Sequence, residues 1–152
     1  MRILFLTHFF PPRHIAGTEN YTLGLAGGLL ELGHEVLVVC AEDWNQGSNY
    51  WNGISEDSYA GIPVYRIHLN WTRAEDPNRI LYDSLEIESW FDRFLAQKRP
   101  DIVHITSTYS LGVGVLRSTK RLKIPTVLTL MDFWFLCPRT VLQRSDGSLC
   151  DG

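Results

Sequence analysis

The sequence has no apolar run approaching the roughly 18 residues that a membrane-spanning helix requires, so any membrane contact would be peripheral. Cysteine is scarce. Cys40, Cys137 and Cys150 form an odd and sparse set, which speaks against a secreted disulfide framework and for a reducing compartment. Cys137 and Cys150 stand thirteen apart with no C-x-x-C between them, and such spacing does not make a zinc site by itself. Positive charge is not in excess either: 14 Lys and Arg face 17 Asp and Glu, for a net charge of −3. No global basic field exists to hold a polyanion, and nucleic acid is not expected as a partner. Also missing are the G-x-G-x-x-G turn, the G-x-x-x-x-G-K-[ST] loop and the G-x-S-x-G elbow, which argues against dinucleotide, P-loop and serine-hydrolase chemistry. Glu42 or Asp43 sits where a ribose-binding acid would stand, but one acid at a strand end is weak support for a dinucleotide.

The chain contains instead an alternation of apolar runs and helical stripes. "RILFLT" at the start reads either as a signal peptide or as a buried first strand. Thr7-His8 interrupts the apolar run, and Pro11-Pro12-Arg13-His14 stands where small cleavage-site residues belong, so the strand reading is favoured. From Thr18, a candidate cap, Tyr21, Leu25, Leu29 and Leu32 follow helical spacing up to Gly33, and Val36 to Cys40 return as a strand. That is a βαβ unit. "GIPVYRIHL", "DIVHI" and "PTVLTL" read as further buried strands. "NRILYDSLEIESWFDRFLAQKRP" reads as one helix with Ile87, Phe91, Phe94 and Leu95 on its stripe, and "SLGVGVLRSTKRLK" as another. The fold expected is α/β: one domain, 1–152, with a doubly wound, mostly parallel Rossmann-like sheet. The segment "AEDWNQGSNYWNGISEDSYAG" shows no periodicity and reads as a long loop, either a mobile insertion or a lid carrying Trp44, Tyr50 and Trp51.

Ligands of such sheets bind beyond the carboxyl ends of the strands, which gives four candidate edges. After the first strand, His8 to Thr18 leads to Gly17-Thr18 and Glu19 at a helix start, where free N–H groups and the dipole favour an anion; the alternative is a simple turn and cap. After the second strand comes Ala41 to Trp44. After "DIVHI", His104 is followed by the hydroxyls of Thr106 to Ser110, including Tyr109, which suit a polyol; His104 itself also suits a hydrogen-bonded core position. After "TVLTL" comes Met131 to Arg139. There Asp132 follows a strand expected to be buried, where a carboxylate is costly unless paired or working on a ligand, with Phe133, Trp134 and Phe135 as walls. The structural alternative makes Asp132 a cap and the aromatics a cover for the sheet end. Arg117, Lys120, Arg121 and Lys123 cluster at a helix end, a pattern for dipole complementarity or for contact with an anionic membrane.

"MRILFLTHFFPPRHIAGTENYTLGLAGGLLELGHEVLVV", "RPDIVHI" and "TVLTLMDFWFLCPR", in that order, resemble the N-terminal domain of family 4 glycosyltransferases, which have two facing Rossmann-like domains. The resemblance covers essentially the whole chain. It implies a retaining transfer of a sugar from an NDP-sugar donor to the hydroxyl of a glycan or lipid-linked acceptor, in cell-envelope polysaccharide synthesis. The location implied is the cytoplasm or the inner face of the membrane, and no cofactor is called for. This half would mainly hold the acceptor. Gly17 and Thr18 match the glycine loop near the donor phosphates, His104 the wall of the acceptor site, and Asp132 the acid after the fifth-strand motif. The site set expected is therefore Asp132 as catalytic residue, with His8, Gly17, Thr18, Glu19, His104, Tyr109, Met131 and Arg139 as substrate-binding residues and no metal.

Two departures stand out. Many family members carry His where this chain has Met131, and a thioether offers neither its proton nor its hydrogen bond. The family's donor domain, with paired glutamates eight apart, has no counterpart: no two glutamates here are eight apart. The resemblance thus implies a fragment that is inactive alone, with the missing C-terminal domain as its partner and Cys137 and Cys150 as half of a cysteine cluster. The reading from a different class is a standalone carbohydrate- or protein-binding module without catalysis.

Overall fold

The computed structural model describes residues 1–43, 45–137 and 140–150. Trp44 and Arg139, both named above, lie outside them. Six strands form one sheet in the order β3-β4-β2-β1-β5-β6. The strands are β1 (Arg2–Thr7), β2 (Glu35–Asp43), β3 (Trp51–Tyr59), β4 (Ile62–Leu69), β5 (Ile102–Ile105) and β6 (Thr126–Leu128), and the helices are α1 (Gly17–Glu31), α2 (Pro77–Tyr82), α3 (Leu85–Lys98) and α4 (Gly114–Arg121). All pairings are parallel except β3 with β4. The doubly wound, mostly parallel sheet expected from the sequence is the observed one.

The continuous apolar run of β1 has its cause in this layering. Ile3 and Phe5 pack into one core with Val36, Val38 and Ala26 of α1. Leu4 and Leu6 point the other way, into a core with Phe91 and Leu95 of α3. A strand covered on both faces has no polar face to alternate with. The α3 stripe of Ile87, Phe91, Phe94 and Leu95 is buried as its spacing predicts.

Four local expectations are corrected. The segment read as a long loop contains β3, which pairs with β4 from Trp51–Leu69 to Tyr59–Ile62 through a two-residue turn, Ala60-Gly61, with both φ positive (52° and 78°). As an edge strand with Glu56, Asp57 and Ser58 exposed, it lacks the apolar alternation that would reveal it. The single helix expected over 78–98 is broken at Asp83-Ser84: the Ser84 side chain accepts from Ile87 N–H at 3.4 Å, and the Tyr82 carbonyl accepts from Val113 N–H at 2.7 Å. Of the stripe expected for α1, Leu25 and Leu29 pack against the core, but Tyr21 and the C-cap Leu32 are exposed, the buried positions are Glu19, Thr22 and Ala26, and Ala16 rather than Thr18 is the N-cap. Small side chains let this helix lie close over the sheet. Finally, β6 is not buried; it is an outer strand of the sheet, and Val127 is 42% exposed.

Candidate functional site at the carboxyl edge

The loop from His8 to Ala16 leaves the end of β1 and is held from below by a buried guanidinium. Arg66 of β4 donates to the Phe10 and Pro11 carbonyls (3.2 and 2.6 Å), to Glu42 Oε1 (2.7 Å) and to Asp57 Oδ2 (2.8 Å). Glu42 Oε2 is approached by Arg13 and His14 at 3.4 and 3.6 Å. Glu42 is thus committed to shaping this loop, and Asp43 accepts from the Trp71 indole N–H at 2.6 Å; neither stands free as a ribose acceptor. An arginine inside the largely apolar strand IPVYRIHL is the sequence signal for this cluster.

The loop delivers the chain to the α1 start. Glu19, only 2% exposed, reaches back so that Oε2 accepts from Ala16 N–H at 3.0 Å and Oε1 meets His8 Nε2 at 3.1 Å. A buried carboxylate opposite Nε2 requires a donor there, so the neutral imidazole carries its proton on Nε2 and presents a lone pair at Nδ1. That Nδ1 is buried and has no hydrogen-bond partner among the described residues. Burial holds the His8 pKa below its ordinary value, against the opposing carboxylates of Glu19 and Asp132, so the ring is neutral near pH 7. Gly17 is exposed, and a Cβ placed on it would meet nothing within 4 Å. The first turn of α1 is therefore open, with Thr18 half-buried beside it.

From the other side the edge is closed by the segments after β5 and β6. Thr106 Oγ1 meets Thr22 Oγ1 at 2.9 Å, tying the β5 loop to α1. The Tyr109 ring lies edge-on to His8 at 6.0 Å and to Trp134 at 5.0 Å, and Trp134 stacks on Tyr82 at 4.5 Å. An aromatic row thus runs from His8 to the end of α2. Asp132 is exposed, so the argument from a buried carboxylate does not hold for it. It closes a turn, Oδ1 accepting from Trp134 N–H at 2.8 Å, rather than capping a short helix, and its charge still reaches His8.

The structure therefore brings together His8, Gly17, Thr18, Glu19, Tyr109 and Asp132. Met131 is half-buried next to Asp132. His104 stands apart: its ring stacks on Phe5 at 5.0 Å and Nε2 meets Thr129 Oγ1 at 2.8 Å, a hydrogen-bonded place within the sheet where burial lowers its pKa. Cys40 and Cys150 are in no disulfide among the described residues. Two of the four cations considered for membrane contact are engaged in ion pairs, Arg117 with Asp83 and Glu88, and Arg121 with Glu88 and Asp92. Among the described residues no helix is long and apolar enough to cross a membrane.

A mostly parallel sheet in this strand order with helices on both faces defines a Rossmann-like α/β domain. The catalytic domain of starch synthase IV from Arabidopsis thaliana, bound to ADP and acarbose, shares this fold with a TM-score of 0.52 and 16% identity over 87% of the chain. A trehalose-6-phosphate structure from E. coli, bound with UDP-2-fluoro glucose, has a TM-score of 0.50 at 12% identity over 84% of the chain. The chain belongs to the glycosyl transferase 4-like domain family, which matches residues 16–149. An uncharacterized 42.6 kDa protein in the cps region of Klebsiella pneumoniae is 23% identical over 98% of the chain. The chain spans 41% of that relative and 34% and 32% of the two structures.

Proposed function

We propose that this chain is the acceptor-side half of a retaining glycosyltransferase, which moves a sugar from a nucleotide-sugar donor to the hydroxyl of a glycan or lipid-linked acceptor and is inactive without a donor-binding domain. The observation that carries the reading is the unpartnered, buried His8 Nδ1 beside an open helix start. In this proposal His8 Nδ1 accepts a hydrogen bond from the acceptor and orients it. Glu19 is a positioning residue, since it acts through His8 and Ala16. The N–H groups of Gly17 and Thr18 favour the negative charge that grows on the departing diphosphate.

The anomeric carbon loses its bond to the diphosphate oxygen and gains one to the acceptor oxygen on the same face. Asp132 takes the acceptor hydroxyl proton as that bond forms. Tyr109 offers a ring face and a hydroxyl to the sugar, and Met131 lies against the transferred sugar as an apolar contact. Arg139, outside the described residues, is proposed as an anion contact. Two features of the relatives support the reading: the solved structures of this fold were bound to ADP or a UDP-sugar, and the Klebsiella protein lies in a cps region, which fits cell-envelope polysaccharide synthesis at the cytoplasmic face.

The test compares this chain with the complete native reading frame for acceptor-dependent release of nucleoside diphosphate from UDP-, ADP- and GDP-sugars. Release by the complete frame and none by the chain alone is expected. Turnover by the isolated chain at the same rate would overturn the half-enzyme reading; no release by the complete frame would overturn the transfer itself.

A further inference from the structure

Away from His8, two adjoining hollows open between β3 and the α2–α3 segment, of about 520 Å³ and 600 Å³. They share Trp51, Leu85 and Glu86 as a common wall and so adjoin in one trough. Because Trp51 pairs with Leu69 at the end of β4, the trough lies toward the same carboxyl edge as the site above. Asp83, in its wall, follows Tyr82, the last member of the aromatic row that begins at His8.

The chemistry of the wall is mixed. Arg73 and Arg79 line the first hollow together with Glu75, Asp76, Asp83 and Glu86; Asp76 is taken up as the cap of α2 and Asp83 by Arg117, and among the described residues Arg73, Arg79, Glu75 and Glu86 are in no salt bridge. Charges of both signs disfavour a simple anion or cation as ligand, and an apolar ligand would strand them. The Tyr50 side chain, 8% exposed and part of the same wall, has a hydroxyl with no hydrogen-bond partner among the described residues. Burial, with the nearby Glu86 and Asp43 charges, pushes its pKa well up, so it stays protonated and able to donate. Trp51 is half-buried against Trp90, ring centroids 6.2 Å apart, with indole surface left in both hollows.

Ring surface for C–H faces, carboxylates to accept and guanidinium and phenol groups to donate are together the complement of a neutral sugar. We propose that this trough is a glycan subsite, built to hold neutral sugar residues of the acceptor at a distance from the hydroxyl that reacts. The proposal rests on the acceptor reading above, and it adds the class of sugar and the residues that hold it.

The test is binding of the 152-residue chain to a printed array of neutral and acidic oligosaccharides, followed by titration of the best binder with intrinsic tryptophan fluorescence. Retention of neutral oligosaccharides is expected, weakened about tenfold by Tyr50→Phe and by Glu86→Gln. Both variants conserve shape, so a loss is not a loss of fold, and circular dichroism checks this. Trp51→Ala should weaken binding by about as much. No binding on the array, binding of acidic glycans alone, or binding unchanged in all three variants would overturn the proposal. The array contains no nucleotide sugar, so a failure of the transfer reading is seen in the release assay and a failure of the subsite is seen here.

Discussion

Glu19→Ala removes two acceptors from one buried place. Loss of Oε2 leaves the Ala16 N–H unsatisfied at the start of α1, the equivalent of losing a cap, about 1 kcal/mol. Loss of Oε1 strands the His8 Nε2 donor, a further 1–2 kcal/mol or so. The sum, about 2–3 kcal/mol, corresponds to a fall in Tm of about 5–10 °C for a chain of this size. Glu19→Gln is more informative. Its amide oxygen can still serve Ala16, but its NH2 then faces His8, which must accept at Nε2 and move its proton to Nδ1. Nitrogen NMR of the imidazole reads that switch directly, and the proposed acceptor contact at Nδ1 is lost with it. The pH dependence has a fixed sign. Since burial lowers the His8 pKa below 6.5, the unfolded chain binds more protons than the folded one. The His8 contribution to stability is then fully present above 6.5 and is lost as pH falls from there through the folded value. Glu19 opposes the shift, so Glu19→Gln should lower the His8 pKa further and widen the window of loss. Glu19→Ala melting within about 1 °C of wild type, or a Glu19→Gln protein that keeps its proton on Nε2, would refute the reasoning.

Other perturbations separate buried from exposed electrostatics. Arg66→Ala leaves Glu42 buried with only the longer approaches of Arg13 and His14, and should cost about 3–5 kcal/mol in denaturant melts. Hydrogen exchange should quicken in the loop from His8 to Ala16 that Arg66 holds. Gly112 has φ +75°, and an added Cβ would come within 3.0 Å of the Tyr82 carbonyl oxygen; Gly112→Ala should lose about 1–3 kcal/mol of stability, read by thermal melting. At the α3–α4 contact, Arg117 and then Arg121 hold the Glu88 carboxyl below its ordinary 4.5, so their support is present above that pH and lost as pH falls below it. The Arg117→Ala/Arg121→Ala double variant should lose little stability near pH 7, since solvent screens these pairs, and show a flatter acid limb in its stability profile.

The parts of this fold that were legible in the sequence are those where one local pattern had one outcome. The unbroken apolar run of β1 and the 87/91/94/95 stripe of α3 each led to the observed element, because burial on two faces or one leaves a distinct periodicity. β3 was illegible because an edge strand with a polar outer face loses its alternation, leaving only the Ala60-Gly61 turn as a clue. The α1 stripe was half legible: Leu25 and Leu29 face the core as their spacing predicts, while the buried Thr22 and Ala26 beside them are too small or polar to stand out in an apolar periodicity. In the site, the His8–Ala16 loop and the Gly17 helix start were legible as a strand end feeding a helix. The Glu19 role was present as an acid at the third helical position, as in a capping box, but its grip on His8 depends on the loop geometry that Arg66 sets from a distant strand. Asp132 follows β6 at the carboxyl edge, but it is exposed, so the cost of a buried carboxylate does not single it out.

If His8 holds the acceptor as proposed, steady-state kinetics of His8→Ala in the complete reading frame will show it. Loss of the hydrogen bond at Nδ1 should lower kcat/KM for the acceptor by about 10- to 100-fold, with KM for the nucleotide-sugar donor nearly unchanged. Acceptor kinetics equal to wild type in a folded His8→Ala protein would contradict the account.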